Sequence, residues 1–251
     1  IKKAIKKNTI LVSVMHVQNE IGTIQPIKEI ARMVNGKKTK LKFPVFHTDA
    51  CQAANYLDVC PNRLGVDLLT LAGSKIYGPK GSGILFVRHG TPILPIFSGG
   101  DQEAGLRPGT EPVYLAVGFA EALLVSSEAR DKEAKRLAEL RDYFISKLLS
   151  LSSRVRLNGD MNKRVSNNVN ISIDGINNEF FIIQLDNEAI ACSTRSACKT
   201  NDDKGSHVIL SLGNSEKEAK ESIRFSLGRS TTKKEIDYTI GVIKKLLTFN
   251  I

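Results

Sequence analysis

The stretch VDLLTLAGSKIYGPKG, residues 66–81, is an apolar, β-rich run that passes directly into a glycine-bounded turn carrying Lys75. The run from 66 to 71 predicts a buried strand. Gly73 and the pair Gly78-Pro79 mark the turn that follows. Because open α/β sheets place their sites at the carboxyl ends of strands, Lys75 is a candidate functional residue.

Similar short apolar runs lie on both sides of this stretch. They predict strands at 10–17, 44–48 and 83–87. Between the first two, Pro26 opens a helical pattern whose apolar positions share one face: Ile27, Ile30, Ala31 and Val34. This alternation predicts an α/β large domain, a mostly parallel sheet with helices, over residues 1–125.

The second half has a different pattern. Residues 112–151 predict one long helix, and residues 168–173 and 222–227 alternate as strands. Thr232 and Glu235 form a capping box that opens a final helix. We therefore expect a smaller α+β domain over residues 126–251.

Composition narrows the function classes. The 251 residues are 41% hydrophobic and 25% charged, which is typical of a globular chain with its own core. We find no apolar stretch of bilayer length and no signal-peptide pattern, so the sequence predicts a cytoplasmic protein without a membrane partner. The net charge of +10 is spread along the chain, which favours a solvated basic face over direct nucleic-acid binding.

Asp49 and Lys75 follow neighbouring predicted strands. A lysine and a carboxylate at such positions are what pyridoxal phosphate requires, because the lysine forms a Schiff base and the carboxylate keeps the pyridinium nitrogen protonated. Gln52 lies three residues beyond Asp49, and Asn19 ends the first predicted strand. From this spacing alone, a purely structural Asp–Lys pair, or two solvated loop residues, is the more common interpretation.

Among the four cysteines, Cys198 has distinctive neighbours. Arg195 and Lys199 lie close to it in sequence and favour its thiolate, the reactive form. The other three, at positions 51, 60 and 192, are interpreted as small buried side chains or idle thiols. The four form no C-x-x-C pair, and the histidines have no companion ligands, so we predict neither a disulfide scaffold nor a metal site.

Six ordered motifs together resemble one family. They are residues 15–22 (MHVQNEIG), 49–52 (DACQ), 73–81 (GSKIYGPKG), 105–110 (GLRPGT), 196–198 (SAC) and 222–229 (SIRFSLGR). The chain resembles the pyridoxal-phosphate-dependent cysteine desulfurases of the NifS/IscS type, which are fold-type-I enzymes within the class V aminotransferases. The resemblance covers nearly the whole chain.

The resemblance implies a set of cofactor contacts. Lys75 matches the Schiff-base lysine, which also moves the substrate Cα proton. Asp49 matches the partner of the pyridine nitrogen, and Gln52 matches the residue that bonds the phenolic oxygen. Asn19 lines the ring. Thr110 matches a threonine that reaches the phosphate of the neighbouring subunit, which implies a homodimer.

The resemblance also implies the sulfur chemistry. Arg224 matches the arginine that clamps the carboxylate of L-cysteine, together with Asn19 on the substrate side. Cys198 matches the nucleophile that takes the substrate sulfur as a persulfide, leaving L-alanine. The sulfur then passes to an acceptor, such as an iron–sulfur scaffold protein or the machinery of tRNA thiolation.

Two departures concern the cofactor phosphate. Ser74 occupies a position where many family members have histidine, and Ala72 one where many have serine. Ser74 still offers a hydroxyl to the phosphate, whereas Ala72 offers none.

Family members also carry roughly a further third of a chain upstream, with a threonine loop for the phosphate and a histidine that stacks on the ring. We therefore expect an N-terminally truncated desulfurase that alone binds the cofactor weakly or not at all. Three alternatives stay open: a selenocysteine lyase or class V aminotransferase, an inactive fragment, and a basic binding module.

Overall fold

The structure is a computed structural model that describes residues 1–194 and 205–249. The chain forms two compact units. The first comprises Ile1–Val17 and Gln25–Arg130, and the second comprises Gln18–Ile24 and Asp131–Ile251. The sequence places a domain border after residue 125, whereas the units divide after Arg130. The short segment Gln18–Ile24, which lies early in the chain, belongs to the second unit.

The first unit is built on a four-stranded sheet with the order β1-β2-β3-β4. Its strands are β1 (Leu11–Met15), β2 (Val45–Asp49), β3 (Leu68–Ala72) and β4 (Gly83–Val87). β2 is parallel to both β1 and β3. The predicted mostly parallel sheet is thereby confirmed, with strand ends shifted by one or two residues at most positions.

β4 is antiparallel to β3. Only the ten residues 73–82 connect these two strands. A parallel return needs a crossover of about a dozen residues or more, so this connection is too short for one. The turn that carries Lys75 therefore sends the chain straight back along its own sheet.

Helix α1 (Ile27–Asn35) provides the crossover between β1 and β2. Its four predicted core positions, Ile27, Ile30, Ala31 and Val34, are all buried. A further short helix, α2 (Pro61–Leu64), precedes β3 and ends at Gly65, whose φ of 75° suits glycine. The buried apolar face of α1 packs this helix against the sheet on which the candidate site is placed.

The second unit contains an antiparallel three-stranded sheet with the order β5-β6-β7. Its strands are β5 (Val155–Leu157), β6 (Asn168–Ile173) and β7 (Ser222–Ser226). The long helix α3 (Val113–Leu151) begins in the first unit and ends in the second. The remaining helices are α4 (Asn178–Asn187), α5 (His207–Ser211), α6 (Glu216–Lys220) and α7 (Lys233–Phe249).

The predicted capping box of α7 is present. The Thr232 hydroxyl accepts the Glu235 N–H at 3.3 Å, while the Glu235 carboxylate accepts the Thr232 N–H at 2.7 Å. Ile236, Ile243 and Leu247 are buried and Ile240 is half-buried, as the spacing predicts. Among the described residues, we find no helix that is both long and apolar enough to cross a bilayer.

β6 differs from what its alternating sequence indicates. Alternation normally leaves one face of a strand in solvent, yet all six residues of β6 are buried. The polar side chains Asn168, Asn170 and Ser172 share one face because they are two residues apart. Part of that face is covered by the segment Gln18–Ile24, whose Glu20 carbonyl accepts both asparagine amides.

Candidate active site

Asp49 ends β2 in the first unit. Its half-buried carboxylate accepts the backbone N–H of Cys51 at 2.9 Å, which holds it at the strand end. In register, Asp49 lies between Met15 of β1 and Thr70 of β3. The carboxylate is therefore fixed at the carboxyl end of the parallel strands, where ligand sites of such sheets occur.

His47 lies two residues before Asp49 on the same face of β2. Its Nδ1 is 2.8 Å from the Ser13 hydroxyl and its Nε2 is 2.8 Å from the Thr70 hydroxyl. Burial lowers the pKa of His47 below its usual 6.5, while the charge of Asp49 opposes the shift. These contacts make His47 a cross-strand link in the sheet.

Lys75 lies in a single turn of 3-10 helix, Gly73–Lys75, directly after β3. Both Lys75 and Ser74 are exposed, and neither side chain has a hydrogen bond within residues 1–194 and 205–249. The backbone is better fixed, because Asn55 Nδ2 donates to the Lys75 carbonyl at 2.7 Å. The main chain of this turn is thus anchored while the Lys75 ammonium is left available.

Gly73 makes the turn possible. A Cβ at this position would lie 2.0 Å from Ser82 Oγ and 2.9 Å from the Pro79 carbonyl oxygen. Gly73 also donates its N–H to the Ser82 carbonyl at 2.9 Å. The close approach of these two chain segments therefore excludes any side chain here.

Both charged candidates, Asp49 and Lys75, affect the pKa of Cys51. Burial is the main cause that raises the pKa of the Cys51 thiol to about 12. The hydrogen bond to Asp49 and the negative charge of Asp49 raise it further, whereas the positive charge of Lys75 lowers it. Asp49 and Lys75 are therefore both close enough to act on one sulfur atom. The raised pKa keeps Cys51 a thiol at neutral pH, which excludes it as a thiolate nucleophile.

The other candidates in the first unit are less constrained. Gln52 is half-buried, and its amide has no hydrogen-bond partner in the described part of the chain. Thr110 is exposed in the loop that precedes α3. Ala72 ends β3 beside the Lys75 turn. Asp49, Gln52, Ser74 and Lys75 thus follow two neighbouring strands, whereas Thr110 lies in a separate loop of the unit.

This donor set fits pyridoxal phosphate chemically. Lys75 offers an ammonium without an ion-pair partner in the described residues, and Asp49 offers a carboxylate whose contacts there are with the backbone N–H and the thiol of Cys51. Ser74 offers a free hydroxyl for an anion. An imine-forming amine, a partner for a ring nitrogen and a phosphate donor are therefore available at adjacent strand ends.

Arg224 and Asn19 meet in the second unit. Arg224 lies on β7, paired with Asn170 of β6, and its Nη1 donates to the Asn19 carbonyl at 3.0 Å. Arg224 Nε is buried and has no partner among the described residues. Burial lowers the pKa of Arg224, and the charge of Glu20 partly offsets this. One edge of the guanidinium is thus held and another edge is left for an acceptor.

Cys198 and its neighbours Arg195 and Lys199 lie outside the described residues. The chain leading to them is anchored, because Ser193 and Arg224 exchange two backbone hydrogen bonds of 3.0 and 2.7 Å. Cys192 is half-buried, and burial together with the charge of Asp186 raises its pKa to about 12. Like Cys51, it is a protonated thiol at neutral pH.

The sequence reasoning missed the polar network beneath Arg224. Glu20, Asn168 and Asn170 are buried, and both asparagine side-chain amides donate to the Glu20 backbone carbonyl. Glu20 lies inside a motif that we used only for the resemblance. The available signal was the polar residues at every second position of β6, which pointed toward a solvated face instead.

Comparison with known proteins identifies the family. The model of the class-V aminotransferases (Aminotransferase class-V) matches residues 1–239. The chain belongs to the class-V aminotransferase family. Because this match covers most of both units, the α/β fold expected from the motifs is confirmed.

Individual relatives within the class-V aminotransferases are similar over nearly the whole chain. A cysteine desulfurase IscS of Dictyoglomus turgidum is 42% identical over 98% of this chain and 61% of its own length. A cysteine desulfurase IscS 1 of Archaeoglobus fulgidus is 40% identical over 98% of this chain and 64% of its own length. The solved structure of a NifS-like protein is 31% identical with a TM-score of 0.88, and the similarity covers 99% of this chain and 64% of that one. The chain therefore spans under two thirds of the length of these relatives.

Proposed function

We propose that this protein is a pyridoxal 5′-phosphate-dependent cysteine desulfurase, which converts L-cysteine to L-alanine and transfers the sulfur to an acceptor. The observation that carries the proposal is the placement of Asp49 and Lys75 at the carboxyl ends of the adjacent strands β2 and β3. The similarity to relatives named cysteine desulfurase supports it.

The residues of the first unit would hold the cofactor. When bound, pyridoxal phosphate supplies an electron sink for the bonds at the substrate Cα. Lys75 holds it covalently through Nζ and moves the Cα proton, while Asp49 fixes the proton on the ring nitrogen. Gln52 bonds the phenolic oxygen, and the hydroxyl of Ser74 bonds the phosphate. The family pattern assigns Thr110 to the phosphate site of a second copy, and hence a homodimer.

The residues of the second unit would hold and attack the substrate. Arg224 binds the carboxylate of L-cysteine through its planar fork, beside Asn19. The Cys198 thiolate attacks the substrate Sγ, so that a new S–S bond forms while the Cβ–Sγ bond breaks and its electron pair stays with the carbon. After protonation L-alanine leaves, and Cys198 carries the sulfur as a persulfide. The persulfide is then passed to an acceptor, such as an iron–sulfur scaffold protein.

The proposal is tested by adding excess pyridoxal phosphate to the purified chain and recording its visible absorption, followed by assay of L-alanine from L-cysteine. At an excess of cofactor that offsets the weak binding expected of this chain, we expect a protein-bound cofactor band and L-alanine formation, both lost in Lys75→Ala. Lys80→Ala is the matched control, because Lys80 is an exposed lysine in the same turn region. Cys198→Ala should keep the band and lose turnover. A band that persists in Lys75→Ala, or turnover that persists in Cys198→Ala, contradicts the proposal.

A further inference from the structure

We propose that Glu20 is a positioning residue that fixes the guanidinium of Arg224 for a substrate carboxylate, with Ser206 fixing Glu20 in turn. The substrate part of this inference rests on the proposed function. Every contact on which it depends lies within the second unit. Three observations support it: the clamped backbone of the Glu20 segment, the fixed position of its carboxylate, and the unoccupied edge of Arg224.

The backbone around Glu20 is clamped on both sides. The Gln18 side-chain oxygen accepts the N–H groups of Glu20 at 2.6 Å and Ile21 at 2.8 Å. The Glu20 carbonyl accepts the amides of Asn168 at 2.9 Å and Asn170 at 3.0 Å. A carbonyl that satisfies two buried side-chain amides at once is held firmly in place. These hydrogen bonds hold the backbone of the Glu20 segment rigidly in place.

Gly22 brings this support close to β6. A Cβ at Gly22 would lie 2.7 Å from Asn168 Cβ, and the φ of Gly22 is +71°. Ile21 packs in a buried cluster with Val208, Ile209 and Ala219. Polar contacts therefore anchor Glu20 itself, and an apolar contact anchors the next residue, Ile21.

The Glu20 carboxylate is itself fixed although it is almost fully buried. Glu20 is 2% exposed, and its Oε2 accepts the Ser206 hydroxyl at 2.5 Å. The same hydroxyl oxygen accepts the Ile209 N–H at 3.2 Å, so Ser206 is held in one orientation. A buried carboxylate with one hydroxyl donor is costly unless a cation lies nearby. Among the described residues, Arg224 is a cation whose pKa the charge of Glu20 raises, although the two side chains form no ion pair there.

Arg224 receives its position from the same segment. Its Nη1 donates to the carbonyl of Asn19, the residue that precedes Glu20. Its Nε is buried without a partner, and no hydrogen bond joins Nη2 to any residue in the described ranges. The Nε–Nη2 edge is the one that can bind a carboxylate through two parallel hydrogen bonds. Glu20 thus offsets the charge of Arg224 without occupying the edge that a substrate would use.

The experiment follows the Arg224 side chain directly by nuclear magnetic resonance. The Nε–H signal is assigned by its loss in Arg224→Lys, and its shift and solvent exchange are compared between the parent chain and Glu20→Gln. Gln keeps the shape of Glu but removes the charge. We expect the signal to shift and its exchange to accelerate about tenfold, because loss of the Glu20 charge loosens the segment whose Asn19 carbonyl holds Arg224. Glu216→Gln, an exposed carboxylate of the same unit, is the matched control and should leave the signal unchanged.

A titration with L-alanine, the proposed product, separates the two hypotheses. We expect L-alanine to move the Arg224 signal, with an affinity about tenfold weaker in Glu20→Gln. If L-alanine leaves the signal of the parent chain unmoved, the substrate role assigned to Arg224 is wrong. If L-alanine moves it equally in both chains and the Nε–H signal is unchanged by Glu20→Gln, the positioning role of Glu20 is overturned while the proposed function stands. Should Glu20→Gln not fold, Glu20→Asp shifts the carboxylate back by one carbon, and an unchanged signal there overturns the role equally.

Discussion

Lys75 combines an anchored backbone with a free side chain. Its carbonyl accepts the Asn55 amide at 2.7 Å, and Gly73 fits against Ser82 where no larger residue could. Its ammonium is exposed and has no ion-pair partner in the part of the chain that the structure describes. A lysine that must be covalently linked to a cofactor, and then released to move a proton, needs both properties, because a strong ion pair would compete with each task.

Asn55 should matter for the cofactor although it is not one of the proposed cofactor ligands. Asn55→Ala removes the hydrogen bond to the Lys75 carbonyl, so we expect cofactor affinity to fall several-fold and the unfolding free energy to fall by about 1 kcal/mol. The measurements are a pyridoxal phosphate titration and urea unfolding. Asn35→Ala is the matched control, since Asn35 also donates to a loop carbonyl, that of Gly65, at 3.1 Å. Equal losses of cofactor affinity in both variants would refute a specific role for Asn55.

Two histidines, one directly after β1 and one within β2, should couple pH to the stability of the sheet through their titration. His16 follows β1 and is buried, and burial lowers its pKa from the usual 6.5, with Asp58 opposing the shift. His47 behaves similarly, with Asp49 opposing. A depressed histidine pKa means that the unfolded chain takes up protons first. Stability is therefore complete above about pH 6.5 and decreases as the pH falls toward the folded-state pKa values.

His16→Gln tests this coupling. We expect the unfolding free energy of the parent chain, measured by urea unfolding, to fall between about pH 6.5 and pH 5, by up to about 1.4 kcal/mol for each unit by which a histidine pKa is depressed. In His16→Gln the absolute stability is lower, but the slope with pH should be shallower because one titrating group is gone. His89→Gln serves as the control, since His89 is exposed. An unchanged slope in His16→Gln would show that burial of this ring does not govern the acid response.

Several elements could be predicted from the sequence because local pattern and tertiary burial agree there. The apolar face of α1 and the strand β4 are found as the spacing indicates. β6 could not be predicted in the same way, because its polar face is covered by a segment almost 150 residues earlier in the chain, Glu20 with Asn168 and Asn170. Alternation in sequence shows which side chains share a face, but not whether that face meets water.

The organisation of the whole chain shows the same limit. The long helix α3 was expected, yet the units divide after Arg130, and Gln18–Ile24 leaves the first half to join the second unit. The composition of Gln18–Ile24 does not indicate that this segment belongs to the second unit, because its contacts with β6 and β7 are set by tertiary structure. The sequence marks Asn19, Asp49, Gln52 and Lys75 as candidates because they lie at or near strand ends, whereas Ser74 and Thr110 are assigned from the family resemblance. Arg224 is assigned from the family resemblance alone, and the structure connects it to Asn19 by one hydrogen bond.

Under the proposed function, each unit has its own role. The first offers Lys75 and Asp49 to a cofactor, and the second offers Arg224 to a carboxylate and carries Cys198. The protonated thiols Cys51 and Cys192, each with a pKa of about 12, are unsuited to accept sulfur. Identification of the cysteine that receives the sulfur atom is therefore the most direct test of the proposed reaction.

The most direct measurement is mass spectrometry of the chain after incubation with excess pyridoxal phosphate and L-cysteine, with each cysteine-containing peptide resolved. We predict one additional sulfur atom on the peptide that contains Cys198, removed by a thiol reductant and absent in Lys75→Ala. Cys51 and Cys192 should stay unmodified. L-alanine formation without sulfur on Cys198, or sulfur that appears equally in Lys75→Ala, would contradict the proposed desulfurase chemistry.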